Sequence, residues 1–112
     1  MTISLLPNEK LIREGHANLQ CGVETIGGEL FLTNQRLFFQ AHPLNFQSGP
    51  TQIELSDVSG TQLCRTKLLG FIPLAQNSLA VQTASGKEFR FVISGRKEWA
   101  TAIAGQTDAS RA

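Results

Sequence analysis

The side chains able to do covalent or proton chemistry are few, and their spacing keeps them apart. His16, His42, Cys21, Cys64 and scattered carboxylates are the candidates. His16 and Cys21 lie five residues apart on what reads as one strand, so they project from opposite faces and cannot form a nucleophile–base pair without a bulge. No Cys-x-x-Cys or His-x-His spacing offers a metal site, and Gly27-Gly28 is not followed by a helix that would cradle phosphate. The expectation is a non-enzyme with no cofactor and no metal.

The other distinctive chemistry is that of surfaces. Arg65 and Lys67 stand beside Leu68, Leu69, Phe71 and Ile72, cations next to an apolar tip, which suits the interface of a membrane. The same residues serve equally as cover for the body of the domain. Arg96 and Lys97 open a helix where the dipole disfavours positive charge, so a bound anion at the exposed N–H groups would offset them. Their alternative is solvated surface charge. Phe31 and Phe38 face each other on the outer side of a hairpin and mark either a protein interface or a patch covered by the segment Pro43 to Pro50 through Phe46.

The hairpin Gly28 to His42 organises the chain. A turn at Asn34-Gln35, where Asn tolerates the left-handed conformation, sets Thr33 opposite Arg36. Leu32 then faces Leu37 and Leu30 faces Phe39 on the core side, with Phe31 and Phe38 on the other. Leu11 to Cys21 alternates as a half-buried strand, with Arg13 the one misfit on its apolar face and Gly15 and Ala17 small enough for close packing. Gly22 to Gly28 reads as a loop, Gln52 to Leu55 as a short strand and Ser56-Asp57 as a corner. Val58 to Arg65 is a further strand and Lys67 to Gln76 a loop. Ser78 to Thr83 and Glu88 to Ile93 form a second hairpin over Ala84 to Lys87. Ser94 is the expected N-cap of a helix from Arg96 to Ala104 with Trp99, Ala102 and Ile103 as its stripe; Gly105 ends it. Seven strands and one helix predict a mainly β, partly open antiparallel barrel stoppered by Trp99.

The 112 residues make one domain, divided as an N-terminal arm over 1–8, a body over 9–104 and a flexible tail over 105–112. An apolar share of 41% with 17% charged residues excludes disorder, and ten basic against nine acidic side chains exclude a global field for nucleic acid. Met1 to Pro7 lacks the basic and apolar runs of a signal peptide, and two distant cysteines suit free thiols, so the expectation is cytoplasmic.

On these residues a family likeness can be drawn. Gly28-Glu29-Leu30-Phe31-Leu32-Thr33-Asn34-Gln35-Arg36-Leu37 resembles the G-x-L-(aromatic)-(aliphatic)-T-N-x-R-(aliphatic) signature of GRAM domains, relatives of the pleckstrin-homology fold. Ile53-Glu54-Leu55-Ser56-Asp57-Val58 resembles the strand and corner of that family, and Gly86 to Phe91 with Arg96 to Trp99 its last strand and helix. The sequence is similar to the stand-alone members found in bacteria. The resemblance implies a non-catalytic module for a membrane surface or anionic lipid, or alternatively for a protein partner or self-association. One departure is plain: the loop Gly22 to Gly27, where related headgroup sites carry cations, has no Lys or Arg and one Glu.

Overall fold

The structure is a computed structural model that describes residues 5–21, 24–41, 51–68 and 72–111, apart from the side chains of 21, 24–25, 64–68, 72–77 and 110–111. Seven strands run in chain order as β1 (Leu11–Cys21), β2 (Glu24–Thr33), β3 (Arg36–Ala41), β4 (Thr51–Glu54), β5 (Val58–Leu68), β6 (Ile72–Thr83) and β7 (Glu88–Ile93). One helix, α1 (Arg96–Arg111), follows. The sheet is antiparallel throughout, in the order β4-β3-β2-β1-β7-β6-β5, so β4 and β5 are its two edges. A 3₁₀ turn at Leu55–Asp57 joins those edges. Asp57 ties this corner to the β6–β7 turn, accepting from the Ala84 N–H at 2.8 Å and from the Ser85 hydroxyl at 3.2 Å.

The hairpin that organises the chain has the expected register: Leu30 pairs with Phe39, Phe31 with Phe38 and Leu32 with Leu37. Leu30, Leu32, Leu37 and Phe39 are buried and meet Leu79, Val81, Phe91 and Ile93 from the other hairpin in a single core. Phe39 and Phe91 touch with ring centroids 5.8 Å apart. Gly28 is required by its neighbour strand, because a Cβ there would lie 2.2 Å from the carbonyl oxygen of Gln40.

Trp99 is 2% exposed and stoppers the barrel, with Ile103 and Thr107 continuing its stripe one and two turns on. The indole packs over Gly15, where a Cβ would lie 3.5 Å from the ring, in ordinary contact.

Four sequence expectations are corrected. β2 begins at Glu24, so the expected loop Gly22 to Gly28 is mostly strand. β5 continues to Leu68 and β6 starts at Ile72, so most of the expected loop Lys67 to Gln76 is a β-ribbon. The helix passes through Gly105 to Arg111: the glycine is exposed, and docking of Thr107 outweighs its roughly 1 kcal/mol helix penalty. Gly95, not Ser94, is the N-cap, since its carbonyl accepts the first helical bond, from the Trp99 N–H at 2.9 Å, with φ at +72°.

Candidate functional site

The signature residues of the first hairpin have a common task, which is to clamp the segment ahead of β1. Thr33 accepts the Gln35 and Arg36 N–H groups on its hydroxyl oxygen at 3.1 and 3.0 Å and donates to a carboxylate oxygen of Glu9 at 2.6 Å. Asn34 exchanges backbone and side-chain bonds with Lys10 and donates to the carbonyl of Asn8. Gln35 donates to the carbonyl of Pro7. Arg36 meets Glu9 side-on, Nε to Oε2 at 2.8 Å and Nη2 to Oε1 at 3.1 Å, and gives Nη1 to Gln52. Its guanidinium lies 4.9 Å from the ring centre of Phe38.

Burial alone would raise the Glu9 carboxyl pKa. The bonds from Arg36, Thr33 and the Leu6 N–H, with the guanidinium charge, outweigh it and hold the group at about 2. Asn34 is therefore used for its amide and not for a left-handed backbone; among the described residues the non-glycine with positive φ is Asn8, at 64°. Glu9 escaped the sequence reading because an isolated Glu ahead of a strand carries no periodic signal. A turn arginine at the head of the apolar run Leu37-Phe38-Phe39 was the available cue that a carboxylate must face it.

Phe31 and Phe38, expected as either a protein interface or a patch covered through Phe46, stand beside this clamp, with Arg36 over Phe38. Phe31 is fully buried and Phe38 half-buried, their ring centres 6.3 Å apart, so the two do not form an open aromatic patch. Phe46 lies outside the described residues.

Of the apolar, cation-flanked stretch, the backbones of Arg65, Lys67, Leu68 and Ile72 belong to the β5–β6 ribbon, while their side chains and all of Leu69 and Phe71 lie outside the described residues. The ladder runs to Lys67 against Pro73 and Leu68 against Ile72. β7 accompanies β6 only over Ser78 to Gln82, so the far part of the ribbon runs on without it.

At the start of α1, Lys97 is exposed and Arg96 half-buried. Glu98 brings a negative charge to the same turn, which suits the dipole there. Arg13, the misfit of β1, places its guanidinium 5.3 Å from the centre of the Trp99 ring, and its Nε is buried without a hydrogen-bond partner.

His16 is exposed, its Nδ1 3.8 Å from Glu29, and His42 lies outside the described residues. No group of three or more His, Cys, Asp or Glu side chains among the described residues is placed to hold a metal. No helix among them is long and apolar enough to cross a membrane.

Among the described residues, a concavity lies between the edge strand β5 and α1. This cleft of about 100 Å³ is lined by residues 58–61 and by Ile103, Ala104, Thr107 and Asp108. Beside it, Leu63 is 41% exposed although it pairs with the buried Leu79.

No protein-family model matches the sequence, and no curated protein sequence is similar to it. Solved structures do match, and they define the fold as pleckstrin-homology-like. The Vps36 N-terminal PH domain aligns with a TM-score of 0.66 at 19% identity over 91% of this chain and 84% of that one. The hSac2 domain from the human phosphoinositide phosphatase Sac2 aligns with 0.76 at 11% identity, over 95% and 74%. The C-terminal domain of an unknown protein from Leishmania infantum aligns with 0.69 at 19% identity, over 90% and 86%.

Proposed function

We propose that this chain is a non-catalytic, GRAM-type binding module of the pleckstrin-homology-like fold, cytoplasmic and peripheral, that adsorbs to a membrane surface bearing anionic headgroups. The observation that carries the reading is the β5–β6 ribbon, whose ladder continues past the end of β7 to Leu68 and Ile72. Its tip sequence joins Leu68, Leu69, Phe71 and Ile72 to Arg65 and Lys67. Apolar side chains at such a tip lose water by entering the acyl boundary, while each cation near the headgroups adds about 1 kcal/mol. Arg96 and Lys97 supply further positive charge at the start of α1. Adsorption needs no bond made or broken.

The test is sedimentation with phosphatidylcholine vesicles containing about a quarter phosphatidylserine, at physiological salt. The wild type is expected to pellet, less so at high salt, and the double variant Phe71→Ser/Ile72→Ser to stay in solution. A wild type that remains in the supernatant defeats the reading. It would then favour the second one, a protein-binding or self-associating adaptor without lipid contact. That alternative is supported by how the fold uses its cations: Arg36 is ion-paired with Glu9, Arg90 with Glu88, and Arg13 lies over Trp99.

A further inference from the structure

β1 and β6 stand on either side of β7 in the sheet, and both run past its end. β7 stops at Ile93, opposite Ala17, whereas β1 begins at Leu11. Ser78 pairs with Val92, whereas β6 begins at Ile72. The chain turns into α1 at the same place: Gly95 stands beside Arg13, and a Cβ on that glycine would lie 3.4 Å from the guanidinium Nη2. The β5–β6 ribbon, the opening of β1 and the start of α1 therefore share one end of the sheet.

Apolar side chains are held in water at this end. Among the described residues five large hydrophobic side chains are exposed, and four of them, Leu5, Leu6, Leu11 and Ile12, fall in the stretch that opens β1. The clamp fixes them there. Leu6 gives its N–H to Glu9 Oε1 at 2.7 Å, and its carbonyl accepts the Glu9 N–H at 3.0 Å, so a buried ion pair anchors a residue whose side chain faces solvent. Beyond Glu9, Lys10 is tied to Asn34 through its backbone. Ile12 is the extra residue where the register slips between Leu11 and Arg13, a bulge that turns it out of the ladder.

Positive charge gathers at the same end. Residues 5–16, 65–68 and 94–98 carry six basic and three acidic side chains, and one of those acids is the Glu9 already met by Arg36. The remaining chain has four basic against six acidic side chains. The net charge of +1 thus hides a polarised molecule.

We propose, as a step that rests on the membrane reading, that the domain meets an anionic lipid surface by this end and at two points. One is the ribbon tip. The other is a second foot made of Leu5, Leu6, Leu11 and Ile12, with the exposed Lys10 and Lys97 at the headgroups. Apolar side chains beside cations match the acyl boundary beneath a layer of negative headgroups. The exposed side chains are aliphatic, so they give bases nothing to stack on. A second copy meeting the first through this end would bring like charges together.

The experiment measures partition of the full chain onto phosphatidylcholine vesicles containing about a quarter phosphatidylserine, at physiological salt. Leu6→Ser/Ile12→Ser is expected to weaken it about tenfold or more and Lys10→Glu about fivefold, the latter loss shrinking at high salt. Leu6→Trp is expected to bind at least as well as the wild type, with emission shifted to the blue by vesicles. Lys87→Glu, exposed beside the β6–β7 turn at the other end of β7, is expected to leave partition unchanged. Melting of each variant is checked first, and Leu5→Ser/Ile12→Ser is the substitute if the first double variant does not fold.

Wild-type partition of Leu6→Ser/Ile12→Ser, beside a Phe71→Ser/Ile72→Ser variant that stays in solution, would remove the second foot and leave the membrane reading standing. A wild type that never pellets would remove both. A loss in Lys87→Glu as large as that in Lys10→Glu, or no blue shift in Leu6→Trp, would overturn the orientation. So would a wild-type dimer that Leu6→Ser/Ile12→Ser dissociates, since the occupant would then be a second copy.

Discussion

Arg36 and Arg13 both lay a guanidinium on an aromatic ring, Arg36 at 4.9 Å from the centre of Phe38 and Arg13 at 5.3 Å from that of Trp99. Their charges are met in opposite ways. Arg36 is 5% exposed and shares a side-on ion pair with the buried Glu9, itself held by Thr33 and Leu6. Arg13 is half-buried, has a ring for company and keeps a buried Nε with no hydrogen-bond partner. The contrast separates two uses of a cation in a fold. One locks a segment through a charge partner that cannot be left alone. The other fills space over a stopper at little electrostatic gain.

The sharpest way to break that contrast is Arg36→Met, which keeps an unbranched apolar stem, removes the guanidinium and strands the Glu9 carboxylate. Removing one partner of a buried pair costs about 3–5 kcal/mol, because the remaining charge is uncompensated. Urea unfolding at neutral pH is expected to show a loss of that size, and a loss under about 1 kcal/mol would mean the pair is not the lock described.

Acid titration sharpens the same point from the other partner. The Glu9 pKa falls from 4.5 to about 2 on folding, so the unfolded chain binds a proton first as pH drops. Its contribution is complete above the unfolded value and is lost as pH falls from 4.5 towards 2, an amount on the order of 3 kcal/mol. Urea midpoints across that window are expected to decline steeply in the wild type. In Arg36→Met the decline should be much shallower, since the guanidinium no longer offsets burial and only the bonds from Thr33 and Leu6 still favour the charged carboxyl. Parallel acid profiles for the two proteins would assign the effect to other carboxylates.

The two arginines also show what was legible before the structure. The register of the first hairpin followed from the two-residue period around Asn34-Gln35, and the stopper followed from one Trp on a helical stripe. Both are local patterns of burial, and local patterns repeat. The partner of Arg36 did not follow, because Glu9 is 27 residues away and only the folded chain brings the two together. The continuation of α1 past Gly105 was hidden for a related reason: Thr107 is buried by tertiary packing that its polar type does not announce. The β5–β6 ribbon was hidden because Lys67 to Gln76, with Pro73 inside it, read as loop, and backbone pairing overrides that reading. The groove beside β5 has no sequence signature at all, since an edge is a property of sheet order.

The smallest expected effect belongs to Arg13, and it is the most informative about the comparison. In Arg13→Met the stack on Trp99 is lost, an interaction worth about 0.5–2 kcal/mol. The variant also removes a buried N–H that has no partner, whose presence costs about 1–3 kcal/mol. Met keeps most of the apolar contact with the indole, so the two terms oppose each other over nearly unchanged packing. The net change in stability is expected to lie within about 1 kcal/mol of zero, read from urea midpoints with Trp99 fluorescence as the local probe. A loss as large as that of Arg36→Met would show that the guanidinium over Trp99 also serves as a lock, and that a partner reaches its Nε in solution.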